Sequence, residues 1–120
     1  MKSFKETYEM YRKEESDATI AARANLHKST LSRMKSEAIP ANRNYLWSLA
    51  MALELTLEKT DELFAASGLC MRSKYHLTDR EKKRESIIEE CIRQKKYSVI
   101  DLNIRLYDAG YKLLGNKGIR

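Results

Sequence analysis

The chain has 120 residues, 42% of them hydrophobic, with one Pro and four Gly. That is enough apolar material for a packed core and too few breakers for a disordered or all-β chain. The net charge of +6 favours a polyanionic partner without identifying one. No run is apolar for long enough to span a membrane, and Met1-Lys2-Ser3-Phe4-Lys5 turns charged at once, so no signal peptide is expected. Cys70 and Cys91 lie far apart, which predicts a reducing cytoplasm rather than a disulfide framework.

The spacing predicts seven helices. The first covers residues 2–14, with Phe4, Tyr8 and Tyr11 on one face. Ser16 or Asp17 can cap a second that reaches about Ala24, and Asn25, which tolerates positive φ, suits the tight turn after it. A third runs from about Lys28 to Lys35, and residues 36–41, with the only Pro, read as a loop. The fourth, over 42–53, has Leu46, Leu49, Ala50 and Leu53 as its stripe. Thr56 can cap a fifth helix that reaches Ala66 and stops at Gly68.

Residues 69–77 look irregular. Thr78-Asp79-Arg80-Glu81 has the form of a capping box, opening a sixth helix to about Lys95 that is expected to bury Ile87, Ile88, Cys91 and Ile92. Ser98 can cap a seventh, ended by Gly110. Val99, Ile100, Leu102, Ile104, Leu106 and Tyr107 make that helix apolar on more than one side, which predicts that it is sandwiched.

Charge is unevenly spread. Lys28, Arg33, Lys35 and Arg43 against Glu37 make residues 27–47 net positive, residues 48–69 are net acidic, and residues 70–96 are basic again. Residues 17–34 suit two short helices that cross steeply. Ala21 permits close approach, Ile20, Ala24, Leu26, Leu31 and Met34 take inward positions, and Asn25 supplies the turn. The second helix of such a unit must open with polar residues to enter a major groove, and His27-Lys28-Ser29-Thr30 does so.

Thr19-Ile20-Ala21-Ala22-Arg23-Ala24-Asn25-Leu26-His27-Lys28-Ser29-Thr30-Leu31-Ser32-Arg33-Met34 resembles the helix-turn-helix of the phage-repressor (Cro/CI, XRE) family. So does the later run Pro40, Leu46 and Leu49-Ala50-Met51-Ala52-Leu53-Glu54-Leu55-Thr56-Leu57; the likeness covers about residues 4–68. Two departures stand out: Asn25 occupies a position that is usually Gly, and Ser36-Glu37 one that is often Glu-Gly. Ile87-Ile88 and Tyr97 to Leu114-Gly115 look like a tail that follows this unit in many small bacterial proteins.

The resemblance implies DNA contacts. Base-reading positions fall on Lys28, Ser29 and Arg33, with Ser32 beside the last. Arg grips guanine O6 and N7 with two hydrogen bonds, and Lys reaches the same acceptors. Phosphate-binding positions fall on Asp17 and Thr19, of which Asp17 would repel phosphate, and on Asn42, Arg43 and Asn44, where a helix N-terminus helps.

Lys82-Lys83-Arg84 reads as a solvated face, and Cys91 and Trp47 as core. His27, Cys70, His76 and Cys91 lack paired zinc spacing. Nucleophile elbow, P-loop and histidine–carboxylate motifs are missing from the sequence, so no enzyme activity, metal or cofactor is expected.

The expectation is therefore an all-α protein. A compact bundle of about five helices holds a lambda-repressor-like helix-turn-helix (residues 1–68), and two C-terminal helices (69–120) pack on it or mediate dimerisation. The expected function is sequence-specific binding of double-stranded DNA as a transcriptional regulator, as a homodimer joined through residues 97–114. The alternative is a protein-interaction module, antitoxin-like or a phage-defence component, that uses the same helices without specific DNA binding.

Overall fold

The computed structural model describes residues 2–118. Seven helices follow in order: α1 (Phe4–Arg12), α2 (Asp17–Arg23), α3 (Lys28–Lys35), α4 (Arg43–Ala52), α5 (Leu57–Ala66), α6 (Asp79–Arg93) and α7 (Val99–Asp108). There is no strand among the described residues, and no helix is long and apolar enough to cross a membrane.

Side-chain caps set the starts. Ser3, Ser16, Asn42, Thr56, Thr78 and Ser98 each accept a hydrogen bond from the backbone N–H three residues on. Ser16, not Asp17, therefore takes the N-cap of α2. Thr78 and Glu81 form the reciprocal box the sequence suggested. Helix α3 is the exception: His27 stands at its N-cap and makes no side-chain cap bond.

The ends share one device. After each of α2 to α7 a residue at positive φ reverses the chain, and the N–H that follows it reaches back to the last turn, as in Leu26 to Ala21 and Ala38 to Arg33. The reversing residues are Asn25, Glu37, Glu54, Gly68, Lys95 and Gly110. Only two are glycine, so the others hold a left-handed conformation that costs L-residues about 1–2 kcal/mol.

Helix α4 is the axis of the fold. Every residue from Leu46 to Ala52 is buried, as expected of a helix covered all round. It packs on α2, α5 and α7, while α1 lies against α5 and α3, and α6 against α5 and α7. Trp47 is fully buried edge-on to Phe64, with ring centroids 5.0 Å apart. The buried side chains form one cluster that runs from Phe4 and Ile20 to Leu106 and Leu114, so residues 2–68 and 69–118 share a core.

Two sequence expectations fail here. Ile87 is only half-buried, and α6 instead turns Arg84 and Glu85 inward beside Ile88, Cys91 and Ile92. Helix α7 is not sandwiched within this chain. Val99, Leu102, Asn103 and Leu106 face the core, while Ile100, Ile104 and Tyr107 are 72%, 48% and 67% exposed.

Beyond α7 the chain doubles back over the bundle. Leu114 is fully buried. Its N–H donates to Asn103 Oδ1 at 2.7 Å and its carbonyl accepts from Asn103 Nδ2 at 3.1 Å. Arg84, inside the fold, donates to the carbonyls of Lys112 and Leu113. Apolar packing and buried polar bonds together lead residues 113–118 to the turn between α2 and α3.

Candidate nucleic-acid interface

Helix α3 buries Thr30, Leu31 and Met34 and turns its other side outward. Lys28, Ser29, Ser32 and Arg33 are all exposed on that side, since residues at i, i+1, i+4 and i+5 share one face of a helix. Among the described residues, neither Lys28 nor Arg33 has an ion-pair partner within 4.0 Å. The basic side chain at the end of the helix is different. Lys35 is held at 2.8 Å from Asp17 and 3.2 Å from Glu9.

First turns differ in charge in a way that bears on anions. Acids stand in the first turns of α1, α2, α5, α6 and α7, where they complement the helix dipole. Helices α3 and α4 have none. The positive dipole end of α3 is thus met by no acid of its own first turn, whereas at α4 Asn42 already accepts the Tyr45 N–H and Arg43 and Asn44 are held by Glu85 and Gly115.

Asp17 lies near this edge, but its carboxylate is turned inward. It accepts from Tyr8 Oη at 2.8 Å, Arg12 Nη1 at 3.1 Å and Lys35 Nζ at 2.8 Å. Partial burial works to raise its pKa, yet the bonds from Lys35 and Tyr8 outweigh it and hold the group below the usual carboxylate value. Its charge is spent within the protein.

The other four phosphate-contact positions divide into two pairs. Thr19 and Asn42 are exposed, Thr19 sharing a hydrogen bond with the Ser16 hydroxyl and Asn42 capping α4. Arg43 and Asn44 do not reach outward, which corrects the expectation for both. The Arg43 guanidinium donates to both oxygens of Glu85, at 2.7 and 2.5 Å, and to the carbonyls of Cys70 and Met71, each at 2.9 Å. It also lies over the Phe64 ring. Glu85 is only 3% exposed. Burial pushes its pKa up, but Arg43 and Lys74 prevail and keep it ionised below the ordinary range. Asn44 is spent on both sides, receiving Arg84 at 2.7 Å and donating to the Gly115 carbonyl at 3.0 Å.

That last bond belongs to a clamp on the α2–α3 turn, which the sequence reading missed. Asn25, at φ 58°, donates from Nδ2 to the carbonyls of Leu114 and Gly118, each at 3.0 Å. The Asn25 carbonyl accepts from Asn116 N–H at 3.0 Å. Asn116 Oδ1 accepts from the His27 N–H at 3.0 Å, and its Nδ2 donates to Thr30 Oγ1 at 2.7 Å. Asn116 thus does for the start of α3 part of what a side-chain cap does elsewhere, and through Gly115 the same strand of chain ties in Asn44 at the start of α4. Gly115 is required by space: a Cβ there would lie 2.2 Å from the Asn25 carbonyl oxygen. The only local signal was Gly115-Asn116, a turn-type pair in a tail that otherwise showed no chemistry.

In the basic run on α6, Lys82 and Lys83 are exposed as expected, but Arg84 is buried and holds the tail. Cys91 is core and Cys70 is exposed. Among the described residues no group of His, Cys, Asp and Glu is arranged to hold a metal ion. No protein family, curated protein or solved structure matches the chain.

Proposed function

We propose that the chain is a sequence-specific DNA-binding protein, a transcriptional regulator of the Cro/CI type, in which α2 and α3 act as a helix-turn-helix. The observation that carries the reading is the outer face of α3: Lys28, Ser29, Ser32 and Arg33 are exposed, without ion-pair partners for the two cations among the described residues, on a helix with no acid in its first turn. In this reading α3 enters the major groove, where Arg33 and Lys28 meet guanine acceptors and the two serines hydrogen-bond to neighbouring base edges. Thr19 and Asn42, both exposed, set the register on the phosphates. Arg43 and Asn44 serve the scaffold that presents α3.

The alternative is an interaction module without specific DNA binding; Asp17, the two departures from the family pattern and the modest charge of α3 favour it. The first two have a structural account in this chain. The Asp17 charge is neutralised from inside. Asn25 and Glu37 adopt the positive φ that glycine would supply.

A binding-site selection from random duplexes, followed by titration of the selected site and of an unrelated duplex at two salt concentrations, tests the proposal. Arg33→Ala is expected to weaken the selected site by about 1–3 kcal/mol and the unrelated duplex hardly at all. Equal losses on both would remove Arg33 from base reading. Binding that shows no sequence preference and vanishes at moderate salt would favour the interaction module.

A further inference from the structure

Of the five large hydrophobic side chains exposed among the described residues, three stand on the outward side of α7. Ile100, Ile104 and Tyr107, at i, i+4 and i+7, form a continuous stripe, 72%, 48% and 67% exposed. Beside it, between α7 and α2, runs a groove of about 250 Å³ with Ala22, Val99, Ile100, Asn103 and Ile104 in its walls. Along the other edge of the stripe stand Asp101 and Arg105, both exposed. Among the described residues neither has an ion-pair partner within 4.0 Å, although Arg93 on α6 finds acids at i−3 and i−4.

These features complement themselves under a two-fold axis. If two copies of α7 lie antiparallel with the axis between Asn103 and Ile104, Ile100 comes opposite Tyr107 of the second copy and the two Ile104 side chains meet within about one residue of the axis. Asp101 then faces Arg105, twice, once on each side of the axis. A parallel two-fold arrangement would turn the charged edge of each copy toward the groove edge of the other and leave Asp101 and Arg105 unmatched. In the antiparallel one each Tyr107 ring meets the other copy's groove, and about 150 Å³ is already enough to hold a benzene ring. An isologous contact needs such a patch, in which each residue meets its counterpart's partner.

We propose that this face of α7 joins two copies of the chain in an antiparallel, two-fold dimer, with Tyr107 of each copy seated in the α2–α7 groove of the other. The occupant is a second copy because the stripe, the groove and the opposed charges lie on one helix in a register that pairs with itself.

The readout is mass, in the absence of DNA, so the proposal stands or falls apart from the DNA-binding reading. Sedimentation equilibrium of the full chain over a wide concentration range is expected to show monomer passing to dimer. Ile104→Lys, at a half-exposed position that the core does not need, should raise the dissociation constant at least tenfold while the circular dichroism spectrum is unchanged. Arg105→Asp alone brings like charges together across the axis and should weaken the dimer; Arg105→Asp with Asp101→Arg should restore it. A chain that stays monomeric at every concentration, or a dimer indifferent to Ile104→Lys, would overturn the proposal. Failure of the paired charge exchange to restore association would overturn the antiparallel register.

Discussion

Positions 25 and 37 hold the same backbone conformation for different reasons. Both residues reverse the chain after a helix, at φ 58° and 63°. The Glu37 side chain is exposed and contributes no hydrogen bond to hold that turn. Glu37→Gly therefore relieves the left-handed strain of about 1–2 kcal/mol, less the extra freedom given to the unfolded chain, and should stabilise the protein by about 0.5–1 kcal/mol. Asn25→Gly should act in the opposite direction. Asn already tolerates the conformation, and its amide anchors Leu114 and Gly118. Loss of two hydrogen bonds near 1 kcal/mol each should destabilise by about 2 kcal/mol. Urea denaturation of the two variants checks the signs; a stabilised Asn25→Gly would mean that the clamp contributes nothing, and a destabilised Glu37→Gly that its turn carries no strain. The turn at Asn25 was legible because it depends on residues next to it. The second duty of the same side chain was not, because its partners stand 89 and 93 positions away.

Among elements, α3 and α4 show how far local rules reach. Their starts and ends are written in caps, breakers and apolar spacing, so the sequence places α3 over Lys28–Lys35 as the structure does. The direction in which α4 sends its first polar side chains is not local. Arg43 and Asn44 look like an exposed pair at a helix start until α6 and the tail close over them. A buried carboxylate is the cause, since Glu85 must be matched by cations and Arg43 supplies a two-pronged match. Arg43→Ala should thus cost about 3–5 kcal/mol of stability, the amount typical when one member of a buried pair is removed. Chemical denaturation measures that loss. If the proposed DNA binding holds, affinity per folded molecule should stay near that of the parent protein, and a drop in affinity without a drop in stability would return Arg43 to the phosphates.

Across the whole molecule, the predicted division at residue 68 describes the order of the chain more than the way it packs. Helix α7 meets α4, Leu106 and Leu114 enter the same cluster as Ile20 and Leu46, and the tail binds the α2–α3 turn. One shared core predicts one cooperative transition. Gly115→Ala tests this at the far end of the chain, where the new methyl group would strike the Asn25 and Ala24 carbonyls. Off-rotamer crowding and backbone strain together make the expected loss roughly 2–5 kcal/mol. Fluorescence of Trp47 and circular dichroism should report it at the same denaturant midpoint. Separate midpoints would show that the two halves fold independently. The apolar periodicity of α7 was readable, but which of its sides would remain open depended on packing that no single helix encodes.

The tail clamp also has a consequence in time. Asn25 and Leu114 are 89 residues apart, and bringing such distant points together costs about 4 kcal/mol of chain entropy before any bond is made. Contacts between neighbouring helices face no such barrier, so the bundle is expected to assemble first and the α2–α3 corner to acquire its final shape last. A nascent polypeptide with all of α3 already synthesised would still lack the finished corner until residues 114–116 emerged and docked. Maturation of the proposed reading head would then depend on the final steps of folding, and the His27 amide, which Asn116 covers, should be slow to gain protection in pulse-labelled hydrogen exchange.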